Sequence, residues 1–578
     1  MTAGGRTLVF GDDTRSFLAI VRSLGRGGIE VHAAPTDFTS PALASRYVSK
    51  VHRLPPFVGD GTNWCTKTES LLSREPFDLI IPCDERTILP FDRYRGRFAG
   101  LARVALPDAP ALQILFDKEK TRDLAISCGV PVAPGRRVKP GDDADRLIAE
   151  FGLPLVLKPC QSFRLETLHS RARVEVLERG AGAAEALVEI GDVPHLVESH
   201  FPGHGAGVSV LASRGRVLQA FQHSRARERG GAGFYRVSRP LAPDLLEAVE
   251  RMTAAISFTG VAMFEFRVTT PCGRWILLEV NARPWGSMPL AVALGVDFPL
   301  RWYRLLVTGQ ETPSIAYRTG VFGRNLIPDA HQILAEVRER KSSWPAVIRH
   351  LAVTFGDFRR LLIGREHLDV LVSDDPSPGL LELWNEANGT TSRLLQRLPG
   401  ASLLQSLADR RLVRNVMARS HAAPAIVIML CRGNICRSPV AAELLRRDLS
   451  TSRPDLIVVS AGMLPREGAQ SPPAAVLAAR RFGVDLTMHR SNYLADEAAE
   501  KATLVVAFDR RNIDDLRGRN PALLAKTVML GSFLRGLHRQ REIRDPDGAD
   551  IATFERAYAT IEAGVRGLAD AIGASRAT

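Results

Sequence analysis

Residues 426–448 read IVIML-C-RGNIC-RSP-VAAELLRRD, and this stretch decides the architecture of the C-terminal part of the chain. The apolar run Ile426–Leu430 predicts a strand buried on both faces, as in a parallel sheet. A helix is expected from about Ser438–Pro439, because proline suits a first helical turn. Between them lies a C-x5-R turn, Cys431 to Arg437. Such a turn can aim the successive backbone N–H groups of Arg432, Gly433, Asn434, Ile435 and Cys436 at one point, where the helix dipole adds positive potential. That field should lower the Cys431 pKa below its free value of about 8.5 and make the side chain a thiolate nucleophile. Arg437 offers a planar fork for two phosphoryl oxygens. The Ser438 hydroxyl can hydrogen-bond the thiolate. Gly433 and Asn434 tolerate the left-handed turns a cradle of this kind requires. Displacement at phosphorus also needs a proton donor. Asp545, in IRDPDG, is the candidate, with Pro546 fixing its turn. It would act in reverse as general base while the covalent phosphocysteine is hydrolysed.

Working outward, the apolar runs Thr7–Phe10, Ile29–Ala33, Leu79–Pro82 and Ala102–Leu106 alternate with helical stretches such as Ser16–Leu24. Residues 1–110 therefore read as a parallel, doubly wound α/β unit. Gly11–Asp12–Asp13 is not a G-x-G-x-x-G, so no dinucleotide site is expected there. Over residues 111–312 a helix at Glu119–Ser127 mixes with strands at Leu155–Leu157, Leu196–Glu198, Val208–Leu211, Ala262–Phe266 and Trp275–Val280, an α+β pattern with antiparallel strands. Residues 313–424 read as a helical extension and connector, with helices at Ala330–Lys341 and Trp344–Gly356 and a linker over roughly 376–424. A new α/β unit fills residues 425–578.

A second chemical pattern lies in WILLEVNARPWGS, residues 275–287. Glu279 and Asn281 are two apart on a strand and face the same side. Glu265, in MFEFRV, reaches that face if the two strands pair as a hairpin. Two carboxylates and an amide oxygen make a hard-oxygen set suited to Mg2+, with Mn2+ as an alternative. Arg283 shares the face and can stabilise charge in phosphoryl transfer. Lys158, ending the buried run LPLVLKP, needs an anionic partner such as nucleotide phosphates, and Lys118 in FDKEKT offers a second contact. His195, His200 and His204 could suggest a metal, but their spacing also fits an exposed hinge loop, and that reading is preferred.

The chain has 578 residues, and at about 150 per domain this suggests about four domains. Hydrophobic residues are 45% and charged residues 24%, which excludes a mostly disordered chain. No run reaches the roughly 20 apolar residues of a membrane span, and no secretion signal opens the sequence. A cytoplasmic protein without membrane partners is expected. Seven scattered cysteines, an odd number, fit a reducing compartment. The net charge of +13 invites a nucleic-acid reading, but the arginines are scattered and rarely interleaved with aromatics. An arginine-rich compositional bias of the proteome and anionic substrates are the preferred explanation, and a nucleic-acid partner is disfavoured.

Residues 425–572 resemble the low-molecular-weight protein tyrosine phosphatases. The family string C-x-G-N-x-C-R-S-P falls on Cys431, Gly433, Asn434, Cys436, Arg437, Ser438 and Pro439, and its late Asp-Pro on Asp545–Pro546. Ser460–Ala461–Gly462, His489–Arg490–Ser491, and Asp509 with Asn512 also match. The resemblance implies a phosphorylated substrate, either a phosphotyrosine protein or a small phosphate ester. Two departures bear on that choice. Asp547–Gly548 stand where aromatics often follow Asp-Pro, and the facing loop reads Met463–Leu464–Pro465. No cysteine follows Cys436, so the disulfide relay of the related arsenate reductases is not expected. Cys436 is open to two readings, a reversible disulfide with Cys431 or simple loop packing.

Residues 5–310 resemble the ATP-grasp superfamily, nearest the carbamoyl-phosphate synthase and biotin carboxylase branch, on Lys118, Lys158, a hinge at Glu198, then Glu265, Glu279, Asn281 and Arg283. By that resemblance Val197, Glu198, Ser199 and His200 would contact the adenine of ATP. The expected fold is a multidomain α/β protein: a pre-ATP-grasp unit, an α+β ATP-grasp fold, a helical connector and a small doubly wound phosphatase domain. The expected function is twofold, a Cys-dependent phosphatase and an ATP- and Mg2+-dependent ligase joining small carboxylate and amine substrates. Two departures touch the ligase. Glycines 203, 205 and 207 stand where an acidic ribose contact is common, and the loop after Lys158 lacks flap glycines, for which Gly230–Gly233 is a substitute or a plain turn. The alternative is a phosphatase regulated by a non-catalytic ATP-binding region.

Overall fold

Strand Arg6–Phe10 (β1) is buried from its second residue on, and pairs in parallel with Glu30–Ala34 (β2) on one side and Leu79–Pro82 (β4) on the other. Val48–Val51 (β3) completes the order β3-β2-β1-β4. The strand order reverses between β1 and β4. Ala102–Leu106 is not a strand. Only Val104 bridges to Ile80, because the short run ends at Pro107 before a ladder can form. The computed structural model describes residues 4–168, 171–172, 174–190, 193–229, 232–269, 273–339, 356, 359–395, 401–418, 425–465, 467–494, 496–535 and 542–574. Two compact units divide the chain: Met1–Thr36, Ser40–Pro55 and Cys65–Leu383 form one, and Asp37–Thr39, Pro56–Trp64 and Trp384–Thr578 the other.

Within the first unit, Gly135–Val138 (β5), Leu155–Pro159 (β6), Glu175–Leu177 (β7) and His195–Ser199 (β8) make an antiparallel sheet of order β5-β8-β6-β7. A larger sheet follows from His204–Ser213 (β9), Arg216–Arg229 (β10), Ala232–Arg239 (β11), Gly260–Val268 (β12) and Trp275–Asn281 (β13). Its order is β13-β12-β9-β10-β11-β14-β15, where β14 is Phe322–Arg324 and β15 is Glu366–Leu368. These last two strands correct the expectation of a purely helical extension from residue 313. At three residues each, they are too short to show an alternating period. The helix expected from Ala330 starts earlier, spanning Leu326–Glu339. The one expected at Trp344–Gly356 lies outside the described residues apart from Gly356.

The second unit is built on Ile426–Cys431 (β16), Ile457–Gly462 (β17), Leu504–Ala507 (β18) and Thr527–Met529 (β19), all parallel, in the order β17-β16-β18-β19. Alternate residues of β16 fill two cores: Val427, Met429 and Cys431 join the one packed by helices Arg437–Leu449 and Ile551–Gly573, Ile428 and Leu430 the other. The helix Ala401–Ala418 was expected to be connector, yet its Val413 and Met417 are buried in the first of these cores and its Asp409 accepts a hydrogen bond from Ser532. Arginines on its outer face mask that apolar stripe in the sequence. Among the described residues no helix is long and apolar enough to cross a membrane.

Candidate active sites

The phosphate loop sits at the carboxyl end of β16, beside β18, where the strand order of the second sheet reverses. Cys431 Sγ lies 3.0 Å from Ser438 Oγ and accepts the Asn434 backbone N–H at 3.2 Å. Of the two residues expected in left-handed conformation, only Asn434 adopts it, at φ +52°. The asparagine offsets the cost by its own bonds. Its Oδ1 accepts from Asn492 N at 2.7 Å and its Nδ2 donates to Ser438 Oγ at 2.9 Å. His489 Nε2 lies 2.7 Å from the Asn434 carbonyl oxygen and braces the loop from outside. Behind it Gly462 admits the close approach, since a Cβ there would come within 3.1 Å of both Arg432 O and Asn434 Cβ. The Cys431 and Arg432 carbonyls accept from Met463 and Leu464 N at 3.1 and 2.8 Å, so the facing loop is tied to the cradle.

Arg437 opens the helix, one residue before the expected start, and is 1% exposed. Its Nη1 donates to Asp509 Oδ2 at 2.6 Å and to Ile543 O at 2.8 Å, and its Nη2 donates to Asp545 Oδ2 at 2.6 Å. Its Nε is buried without a hydrogen-bond partner, a donor that an oxyanion in the cradle would satisfy. Asp545, by contrast, is 41% exposed at its side chain and sits at the mouth. Asp509 is the residue whose role the sequence did not declare. It caps helix Arg510–Arg519 through Asn512 N at 2.9 Å while holding the guanidinium, and its spacing to Asn512 was the available signal. Burial, reinforced by Asp547 and Asp545, pushes the Cys436 thiol far up, so it stays protonated at neutral pH.

The first unit holds a cleft of about 290 Å³ whose walls include Glu85, Lys118, Glu198, Glu279, Asn281 and Arg283. Asp117 caps the helix that begins at Lys118, directing the lysine to Ser162 Oγ at 2.9 Å. Burial lowers the Lys118 pKa, although Glu279 and Glu85 oppose this. The expected hairpin forms: β12 and β13 pair antiparallel with Glu265 opposite Glu279 and Met263 opposite Asn281. Asn281 Nδ2 lies 3.4 Å from Glu279 Oε1 and 3.5 Å from Glu265 Oε1, so a donor stands between two convergent carboxylates. That position suits a divalent cation, and the residues fit one. Burial raises the Glu265 pKa against the pull of Arg225, which bonds it at 2.7 Å. Arg283 bridges Asn281 Oδ1 at 3.0 Å and Glu85 at 2.9 Å.

Lys158 and Glu198, diagonal neighbours across β6 and β8, form a buried ion pair, with Arg122 also 3.6 Å from Glu198. Lys158 thus has Glu198 as an anionic partner within the protein. Val197 is buried in the core behind this sheet, Ser199 Oγ donates to Phe151 O at 2.8 Å, and His200 is exposed. Of the four hinge residues, Glu198 alone lines the cleft with Lys118 and the acidic pair. Glu85 and Arg225 were missed because nothing local marks them, and only tertiary pairing makes them part of the site. Among the described residues His195, His200 and His204 belong to no cluster spaced for a metal.

Residues 426–578 match the family model described as low molecular weight phosphotyrosine protein phosphatase, and residues 192–322 match one described as ATP-grasp in the biosynthetic pathway with Ter operon. The first region is 32% identical over 139 residues to the probable low molecular weight protein-tyrosine-phosphatase EpsP of Ralstonia nicotianae, covering 24% of this chain and 90% of that protein. It is 33% identical over 138 residues to Etp of Escherichia coli K12, covering 24% and 86%. The chain also resembles a solved N5-carboxyaminoimidazole synthetase from Staphylococcus aureus at 16% identity and a TM-score of 0.47, covering 60% of this chain and 88% of that one. The residues that match the ATP-grasp model thus precede those that match the phosphatase model. Through the latter the chain belongs to the low-molecular-weight phosphotyrosine protein phosphatase family.

Proposed function

We propose that the protein is bifunctional: a phosphomonoesterase acting through a phosphocysteine at Cys431, and an ATP-dependent carboxylate–amine ligase built on residues 1–110 and 111–312. The observation that carries the first is the Cys431 sulfur, bonded by Ser438 Oγ and Asn434 N and facing an arginine with one buried, unpartnered donor. In this reading the guest's phosphoryl group takes the Arg437 Nε and competes with Asp545 for Nη2. The sulfur attacks phosphorus as the ester oxygen departs with a proton from Asp545. Ser438 steadies the thiolate, and the loop amides of residues 432–436 carry the equatorial oxygens. Asp545 then takes a proton from the water that cleaves the S–P bond. The relatives are named protein-tyrosine-phosphatases and the matching family model phosphotyrosine protein phosphatase, which supports a phosphotyrosine protein as substrate, while Asp547–Gly548 leave room for other phosphate esters.

For the ligase, Glu265, Glu279 and Asn281 would hold Mg2+, which supplies charge neutralisation at the nucleotide phosphates. Lys118 binds phosphate, and Arg283 steadies charge on the transferring group. The carboxylate substrate becomes an acyl phosphate that the amine captures. Incubation with a 32P-labelled aryl phosphate, rapid acid quench and peptide mapping should place label on Cys431. An unlabelled Cys431 under turnover rejects the phosphatase mechanism. Carboxylate-stimulated ADP release, lost in Glu279→Ala, is the test of the ligase. ATP binding with no carboxylate stimulating turnover would favour the non-catalytic reading.

A further inference from the structure

His32 on β2 and His52, one residue past β3, meet Glu75 at the end of helix Thr62–Arg74. His32 Nδ1 lies 2.9 Å from His52 Nε2, and these two nitrogens lie 3.8 and 3.7 Å from Glu75 Oε2. Zinc bonds of about 2.0–2.1 Å in a tetrahedron hold ligand atoms about 3.3 Å apart, so the triangle is near the size of one face. Both rings are buried, 3% and 8% exposed, and Phe77 packs edge-on against each. The surrounding contacts also have the right sense. Glu30 Oε1 lies 2.9 Å from His32 Nε2, and a proton fixed there leaves Nδ1 bare, the arrangement metal-bound histidines use. Lys50 Nζ holds Glu75 Oε1 at 2.6 Å, which leaves Oε2 to the histidine pair. A mere packing role would need one imidazole–imidazole hydrogen bond. It would not need a carboxylate outside the pair and a second one facing its inner nitrogens.

We propose that His32 Nδ1, His52 Nε2 and Glu75 Oε2 form a Zn2+ site, with a fourth position for water. Two imidazoles and one carboxylate favour zinc over the hard cations of the nucleotide cleft. On binding, the proton between the two rings moves to His52 Nδ1, so both imidazoles stay neutral. The ion would cross-link β2, the chain after β3 and the end of the helix, and it takes no part in either activity above. The full-length chain, stripped with chelator and held in excess Mg2+, is titrated with Co2+ as a visible reporter. One equivalent should give intense visible bands that Zn2+ then abolishes. These bands should vanish in His52→Gln and Glu75→Gln and persist in Cys431→Ser, while Glu30→Gln weakens binding by about 10–100-fold. Circular dichroism checks folding, and if His52→Gln is unfolded the half-exposed Glu75→Gln decides alone. Wild-type bands in a folded His52→Gln or Glu75→Gln variant, their loss in Cys431→Ser, or no bands at all would overturn the site.

Discussion

The Cys431 loop and the cleft lined by Lys118 and Glu279 are both proposed to take phosphate, but they are assembled differently. In the loop, residues 431–438 are consecutive, and Asn434 and Ser438 bond the sulfur or one another directly. In the cleft, the polar groups arrive from segments as far apart as Glu85 and Arg283, which pair with each other. Glu198 of its wall pairs with Lys158, and Arg225 pairs with Glu265 on the strand beside Glu279. The first site keeps a donor free for its ligand, on Arg437 Nε. In the second, Lys158, Arg225 and Arg283 are each paired with a carboxylate while Lys118 is held by Ser162, so a ligand reaching those three groups must exchange with existing pairs. Loss of a side chain should therefore appear as rate in the loop and as stability in the cleft.

The largest effect tests the first half of that contrast. Cys431→Ser should lower aryl phosphate hydrolysis by about 10^5-fold, the scale of losing a nucleophile, while the thermal midpoint of the phosphatase unit stays unchanged. A parallel loss of stability would mean the loop is held by its sulfur. Next, Asp545→Ala should cost about 10^2–10^4-fold in kcat, as for a missing general acid, and less for esters with good leaving groups. Equal losses for all leaving groups would assign Asp545 to holding Arg437 instead. In the cleft, Glu198→Ala leaves Lys158 buried without its carboxylate and should destabilise the first unit by about 3 kcal/mol, read by thermal unfolding. No change would show that the pair is readily replaced by water.

The smallest effect concerns pH. Burial holds the His489 pKa below its ordinary value, although the Asn434 carbonyl pulls the other way. The unfolded chain then takes up a proton at higher pH than the folded one. The stability His489 contributes is complete above about pH 6.5 and falls as pH drops below that value toward its folded pKa. Residual phosphatase activity after acid incubation, assayed at one fixed pH, should decline less steeply in His489→Gln than in wild type.

How far each region was legible follows from the same difference. The buried run Ile426–Leu430 and the motif after it are local, and β16 and the helix each lie within about one residue of where the sequence puts them. Glu279 and Asn281 were legible as a face because strand alternation is local, and Glu265 once the hairpin was assumed. The strands at Phe322–Arg324 and Glu366–Leu368 were not, since three residues carry no period. Nor was the docking of Ala401–Ala418 into the phosphatase core, whose apolar stripe hides among arginines. Asp509 was seen only as a match, because the guanidinium it clamps lies 72 residues away.

The sequence alone determined the setting of the proposed nucleophile. A thiol at a strand end, followed by five backbone donors and an arginine opening a helix, is set by neighbours along the chain. Tertiary structure alone decided which charges meet: Asp509 and Asp545 on Arg437, Arg225 on Glu265, Glu198 on Lys158. Coulomb attraction acts through space, and burial fixes its strength, so neither can be read from spacing along a chain.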